Sequence, residues 1–126
     1  MGETAESMPG ADGSWIPLIE SYAVGPGEVR AVELDRDGRP FELVVWRTLS
    51  GKPVVMDARC PHQWSHLEAE GVVDGDELVC TAHFWRFGPD GAGCKLSMSG
   101  RRDAKAPIPV FAARERAGWI EAHMTG

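Results

Sequence analysis

Cys60 and His62 stand two positions apart in the stretch RCPHQWSHL, and Cys80 and His83 stand three apart in CTAHFWRF, which begins eighteen residues beyond His62. Thiolates and neutral imidazoles are both good metal ligands. A thiol beside an imidazole can also form a nucleophile and its base. One such pair in a β-rich domain is most simply two packed residues. Two short-spaced pairs about one hairpin apart are poorly explained as coincidence.

The segments around these pairs are punctuated by turns. DRDGRP (35–40), SGKP (50–53), DGDE (74–77), GPDGAG (88–93) and RAGW (116–119) carry turn chemistry. Between them lie runs that read as strands: 28–34, 41–49, 53–58, 76–80, 84–87, 108–113 and 118–123. The segment 65–71 offers at most one helical turn, and no amphipathic helix is evident. Short strands at this spacing predict an all-β domain, an antiparallel sandwich or small barrel. Each Cys/His pair then falls where a strand meets a loop. Two facing loops could bring all four side chains together.

The composition narrows the partners. The chain has 126 residues, a net charge of −6 and a pI near 5.1. An acidic chain without a basic patch is a poor ligand for nucleic acid or an anionic membrane. No apolar run approaches a membrane span. Residues 1–14 are polar and acidic, lack a secretory pattern, and are expected to form a disordered tail ahead of one domain over 15–123. Three cysteines, an odd count, suit the reducing cytoplasm, where thiols serve metals more often than disulfides.

Three chemistries fit the two pairs. A Cys-His dyad leaves one pair without a role. Structural zinc accepts two Cys and two His, but its pairs are normally separated by two or more residues, and Cys60-Pro61-His62 has one. The short gap is comfortable when the two ligands go to different metal atoms, as in a [2Fe–2S] rhomb in which two His replace two Cys on one iron.

The pattern C-x-H…C-x-x-H, in this setting, resembles the Rieske [2Fe–2S] signature. CPHQWSHL resembles the first ligand loop, with Leu67 following it. GVVDGDELVC resembles the approach to the second, and HFWRF followed by GPDGAGC resembles the H-G-W-x-F…G run of low-potential members. The flanks LVVWRTLSGKPVVMDARCPH and PIPVFAARERAGWIEAH look like the Rieske domains of aromatic-ring and steroid oxygenases. The resemblance runs from about Trp15 to His123. It implies a Rieske-type β-sandwich with a small cluster-binding subdomain over about 58–97. It also implies Cys60 and Cys80 as thiolate ligands of one iron, and His62 and His83 as neutral imidazole ligands of the other.

Departures from the family pattern carry information. Respiratory-type members have an extra Cys in each ligand loop, joined as a disulfide; the matching positions here are Ser65 and Ala82. They also place a Ser near the second His, where this chain has Phe84-Trp85. Fewer hydrogen bonds to sulfur imply a low potential. Trp64 and Phe84 stand where the family usually has glycine, which implies slightly different loop shapes.

The implied site carries single electrons. Two ferric ions, two sulfides and two thiolates sum to zero charge with neutral His, and reduction takes the site to −1. Oxygen activation at mononuclear iron needs two His and a carboxylate. Only His66 and His123 remain, and both are expected to be exposed surface residues. Cys94 is expected to be a small buried filler. The resemblance therefore implies a ferredoxin-type component, not catalytic alone, working between a flavin-dependent reductase and a terminal oxygenase. The competing role is the Rieske subunit of a split oxygenase whose catalytic domain is on another chain.

Overall fold

The uninterrupted apolar run Leu43-Val44-Val45-Trp46 shapes the architecture, because a strand with one wet face would alternate with polar residues. The computed structural model describes residues 15–36, 38–62 and 64–124; the tail expected over 1–14 lies outside them. The elements in chain order are β1 (Trp15–Glu20), β2 (Val29–Arg36), β3 (Arg39–Arg47), β4 (Pro53–Asp57), α1 (Leu67–Glu70) and β5 (Gly71–Asp74). They continue with β6 (Glu77–Cys80), β7 (Trp85–Phe87), β8 (Gly93–Leu96), β9 (Arg102–Lys105), β10 (Val110–Phe111), β11 (Ala113–Arg116) and β12 (Trp119–His123). They form three sheets, ordered β1-β12-β11, β10-β4-β3-β2 and β5-β6-β7-β8-β9, in which the pairings are antiparallel.

The four-stranded sheet is the middle layer. On one face Leu43, Val45 and Val55 pack with Val24, Ile120, Ala122 and Met124 beneath the three-stranded sheet. On the other, Val44, Trp46, Val54 and Met56 pack with Leu78, Phe87 and Ile108, and with Cys60 and Cys80. The expected all-β antiparallel architecture is thus built from three sheets sharing one doubly buried layer.

The expected strands are present, with one division. The run 108–113 splits into β10, which joins β4, and β11, which joins β12. One stretch of chain therefore serves two sheets. Strands β1, β5, β8 and β9 were not legible: β1 contains Pro17 at a register shift, GCKL of β8 and RDAK of β9 lack β-branched and aromatic residues, and GVVD of β5 sets two valines between turn formers. The return toward β10 passes closely over Gly91, whose φ is +85° and whose carbonyl accepts the Ile108 N–H at 3.0 Å. A Cβ there would collide with the Ile108 carbonyl oxygen and the Val110 side chain, so only glycine fits.

The outer face of the five-stranded sheet is laced by charge. Glu77 accepts from Arg86 Nε at 2.8 Å and from Arg102 Nη1 at 2.7 Å, tying β6 to β7 and β9. These hydrogen bonds, led by that from Arg102, hold the Glu77 carboxyl below its ordinary 4.5, while burial pushes the other way. A carboxyl depressed in the folded state contributes stability above its unfolded pKa and loses it as pH falls through its folded one. We predict that Glu77→Gln costs about 1–2 kcal/mol near neutrality. The gap between wild type and variant in urea midpoint should stay constant above about pH 5 and close as pH falls below it.

Candidate metal centre

Strand parity decides where each ligand-type side chain points. Leu78 and Cys80 share a face of β6, and that face looks into the core, so Cys80 is only 2% exposed. Cys60, just past β4, is equally buried in the same apolar cluster. His62 and His83 lie further along their loops and are exposed. Their rings meet edge to face, with centroids 4.7 Å apart and planes at 86°. All four predicted residues thus come to one end of the middle and five-stranded sheets, with sulfurs inside and imidazoles outside.

The two loops are built alike. The Cys60 carbonyl accepts the Trp64 N–H at 2.8 Å, and the Cys80 carbonyl accepts the Phe84 N–H at 2.7 Å. Each turn therefore closes four residues after its cysteine. Each closing residue is left-handed, with φ of 60° at Trp64 and 64° at Phe84. Both aromatics, at positions where the resembled family usually has glycine, adopt a backbone conformation that glycine takes easily.

Further contacts fix the loops. Cys60 N–H donates to Ser65, and Leu67 N–H donates to Ala58, closing the first loop at its base. Arg59 reaches both the Trp64 carbonyl at 3.2 Å and Glu42 at 3.0 Å. Thr81 joins the loops through α1: its N–H and its hydroxyl both donate to the Glu70 carbonyl at 2.8 Å. Neither Arg59 nor Thr81 was identified from sequence, since each acts through a carbonyl and leaves no side-chain pattern.

Three expectations are corrected. His66 is not a free surface residue: it is half-buried, and its Nδ1 accepts the Glu68 N–H at 3.1 Å, capping α1. His123 is also half-buried, edge-on to Trp15 at 5.1 Å. Cys94 is not a buried filler. It is half-buried on the charged outer face, where its Sγ accepts from Arg102 Nη1 at 3.1 Å.

A two-iron cluster asks only two protein donors of each iron, which suits two buried sulfurs and two adjacent exposed rings.

The chain is a member of the Rieske [2Fe–2S] domain family, whose model matches residues 14–109, and its cofactor is the [2Fe–2S] cluster. It is 37% identical over 98 residues to cholesterol 7-desaturase nvd 1 of Ciona intestinalis, covering 78% of this chain and 19% of the relative. It is 38% identical over 86 residues to the oxygenase component of 3-ketosteroid-9-alpha-monooxygenase from Mycolicibacterium smegmatis, covering 63% of this chain and 22% of the relative. The chain thus spans about a fifth of these relatives' length. Among solved structures, NdmA of Pseudomonas putida CBB5 superposes with TM-score 0.72 at 25% identity, covering 89% of this chain and 34% of that one. The Sphingomonas yanoikuyae B1 ferredoxin shares the fold, with TM-score 0.68 at 23% identity, covering 87% of this chain and 98% of that one. No helix among the described residues is long and apolar enough to cross a membrane.

Both left-handed aromatics are exposed, Trp64 at 68% and Phe84 at 59%. Their rings recover little burial energy to offset the backbone cost of about 1–2 kcal/mol each. Phe84→Gly and Trp64→Gly are therefore each expected to leave stability unchanged or raise it by about 1 kcal/mol, read as the urea midpoint of the cluster-loaded protein.

Proposed function

We propose that this chain carries single electrons to a terminal oxygenase, as a ferredoxin-type component supplied by a flavin-dependent reductase in the cytoplasm. The observation that carries the proposal is the split burial of the four ligand-type residues: Cys60 and Cys80 inside the core, His62 and His83 at the surface. In this reading the two thiolates hold one iron and the two neutral imidazoles hold the other. When bound, the cluster takes up and releases one electron. The core excludes water from the thiolate side, and the exposed imidazoles bring the electron's exit to the surface.

The second reading, a Rieske subunit serving a catalytic domain on another chain, is favoured by the cholesterol 7-desaturase and the 3-ketosteroid-9-alpha-monooxygenase oxygenase component, at 37% and 38% identity. The carrier reading draws on the net charge of −6, which suits brief encounters with basic partners. Gel filtration from the native host separates them: co-elution with a catalytic chain supports the subunit, and elution alone supports the carrier.

The protein as purified should hold two irons and two labile sulfides per chain, and its reduced form should give the low-average-g EPR signal of mixed His/Cys ligation. Its midpoint is expected near the low end of the Rieske range, about −150 mV. His83→Ala should abolish the normal cluster while leaving the β-sheet circular dichroism largely intact. Stoichiometric zinc after anaerobic purification, without iron, contradicts the ligand assignment.

The surface around the imidazoles suits a partner. Trp64 and Phe84 supply an exposed apolar rim, and beside Trp64 opens a groove of about 830 Å³ lined by Phe41 and Phe111 together with Glu33, Asp35 and Asp57. Aromatics favour the centres of interfaces, and carboxylates around them attract a basic partner. Electron-transfer rates with the cognate reductase and oxygenase should fall as salt rises. Trp64→Gly and Phe84→Gly should slow at least one of the two reactions with the cluster absorbance intact. Wild-type rates and salt dependence in both variants, with both partners, contradict this docking surface.

A further inference from the structure

The indole of Trp85 lies flat on the imidazole of His62, with centroids 4.6 Å apart and planes 10° from parallel. The contact joins the two loops. Trp85 begins β7, directly opposite Cys80 in the β6–β7 ladder, whereas His62 belongs to the first loop. Trp85 is half-buried and packs against the core that contains both cysteines, so its ring has a rigid base. His62 is exposed and would otherwise turn about its own side-chain torsions. The Lys105 ammonium lies over the indole, 5.8 Å from the ring centroid, within cation–π range. Trp85 thus contacts both Lys105 and His62, and His83 meets His62 nearly at right angles.

We propose that Trp85 is a positioning residue that fixes the plane of the His62 imidazole, and that Lys105, held over Trp85, adds positive charge beside the site. This rests on the ligand assignment proposed above. The physical reasons are separate for the two residues. A ligand ring free to rotate about its metal bond samples a spread of orientations, which broadens the spectroscopic anisotropy and weakens the bond; groups around a ligand that fix its orientation are worth a large factor in metal retention. A positive charge near a site that goes from zero to −1 on reduction favours the reduced form.

The test uses the cluster-loaded protein and the variants Trp85→Phe, Trp85→Leu and Lys105→Met. Three readouts are taken: the EPR g-values and linewidths of the reduced protein, the rate of iron loss to a ferrous chelator after reduction, and the midpoint potential by dye titration. Trp85→Leu, which keeps an apolar side chain but no ring, should broaden the EPR signal and lose iron roughly tenfold faster. Trp85→Phe retains a stacking ring and should restore both properties toward wild type. Lys105→Met should lower the midpoint while leaving the linewidths unchanged, and the difference should shrink in high salt. Unaltered g-values and iron loss in Trp85→Leu, or equal damage in Trp85→Phe, overturn the positioning role, and an unchanged midpoint in Lys105→Met overturns its electrostatic part. Should Trp85→Leu fail to fold, Trp85→Met, also apolar and without a ring, takes its place in the same two readouts. Failure of the ligand assignment appears elsewhere, as a wild type without two irons and two sulfides.

Discussion

Two sulfur atoms from loops twenty residues apart have to reach the same dry place while their companion imidazoles stay wet, and much of the structure follows from that division. The dry place is the apolar cluster between the middle sheet and the five-stranded sheet, where Cys60 and Cys80 pack with Val44, Trp46, Met56 and Phe87. It exists because β3 and β4 are buried on both faces, one face for the cysteine-bearing core and one for the three-stranded sheet. The same burial shields the two cysteines, while the two imidazole rings lie at the surface.

The candidate site was more legible than the sheets that hold it. Ligand chemistry depends on residue type and short spacing, and both are printed in RCPHQWSHL and CTAHFWRF. Strand runs such as 41–49 and 53–58 were legible because β-branched and aromatic residues concentrate there. Strands β5, β8 and β9 were not: GCKL and RDAK lack β-branched and aromatic residues, and GVVD sets two valines between turn formers. The splitting of 108–113 between two sheets was equally hidden, because local sequence does not encode which partner a strand will find. His66, His123 and Cys94 were misjudged for one shared reason: each makes its contact through tertiary or capping geometry that residue type alone leaves open.

Side chains that hold the loops are of two kinds. Arg59 and Thr81 act on backbone carbonyls and so fix the path of the chain. Trp85 acts on a ring and so bears on orientation within that path. Arg47 does the corresponding work at the far side of β3. It is buried, reaches the carbonyls of Ser21, Val24 and Gly51, and pairs with Glu115 at 2.7 Å. Breaking that pair would strand a largely buried guanidinium, which is why a single arginine can anchor the middle sheet to the three-stranded one.

The two exposed aromatics remain the least economical feature by folding criteria alone. Glycine would satisfy the left-handed backbone at positions 64 and 84 without steric cost, and the hydrogen bonds from Trp64 and Phe84 to Cys60 and Cys80 use only backbone atoms. The side chains are therefore not needed to make the turns. Nor do they fill the core, since both rings are mostly in water. What they add is apolar surface next to the two imidazoles, and apolar surface gains free energy only when something removes it from water. The partner of the proposed function, docked there, would do so, and would also drive water from the imidazole edges. A stability cost borne at both loops, for surface that pays off only in a complex, is the physical argument for placing the partner there.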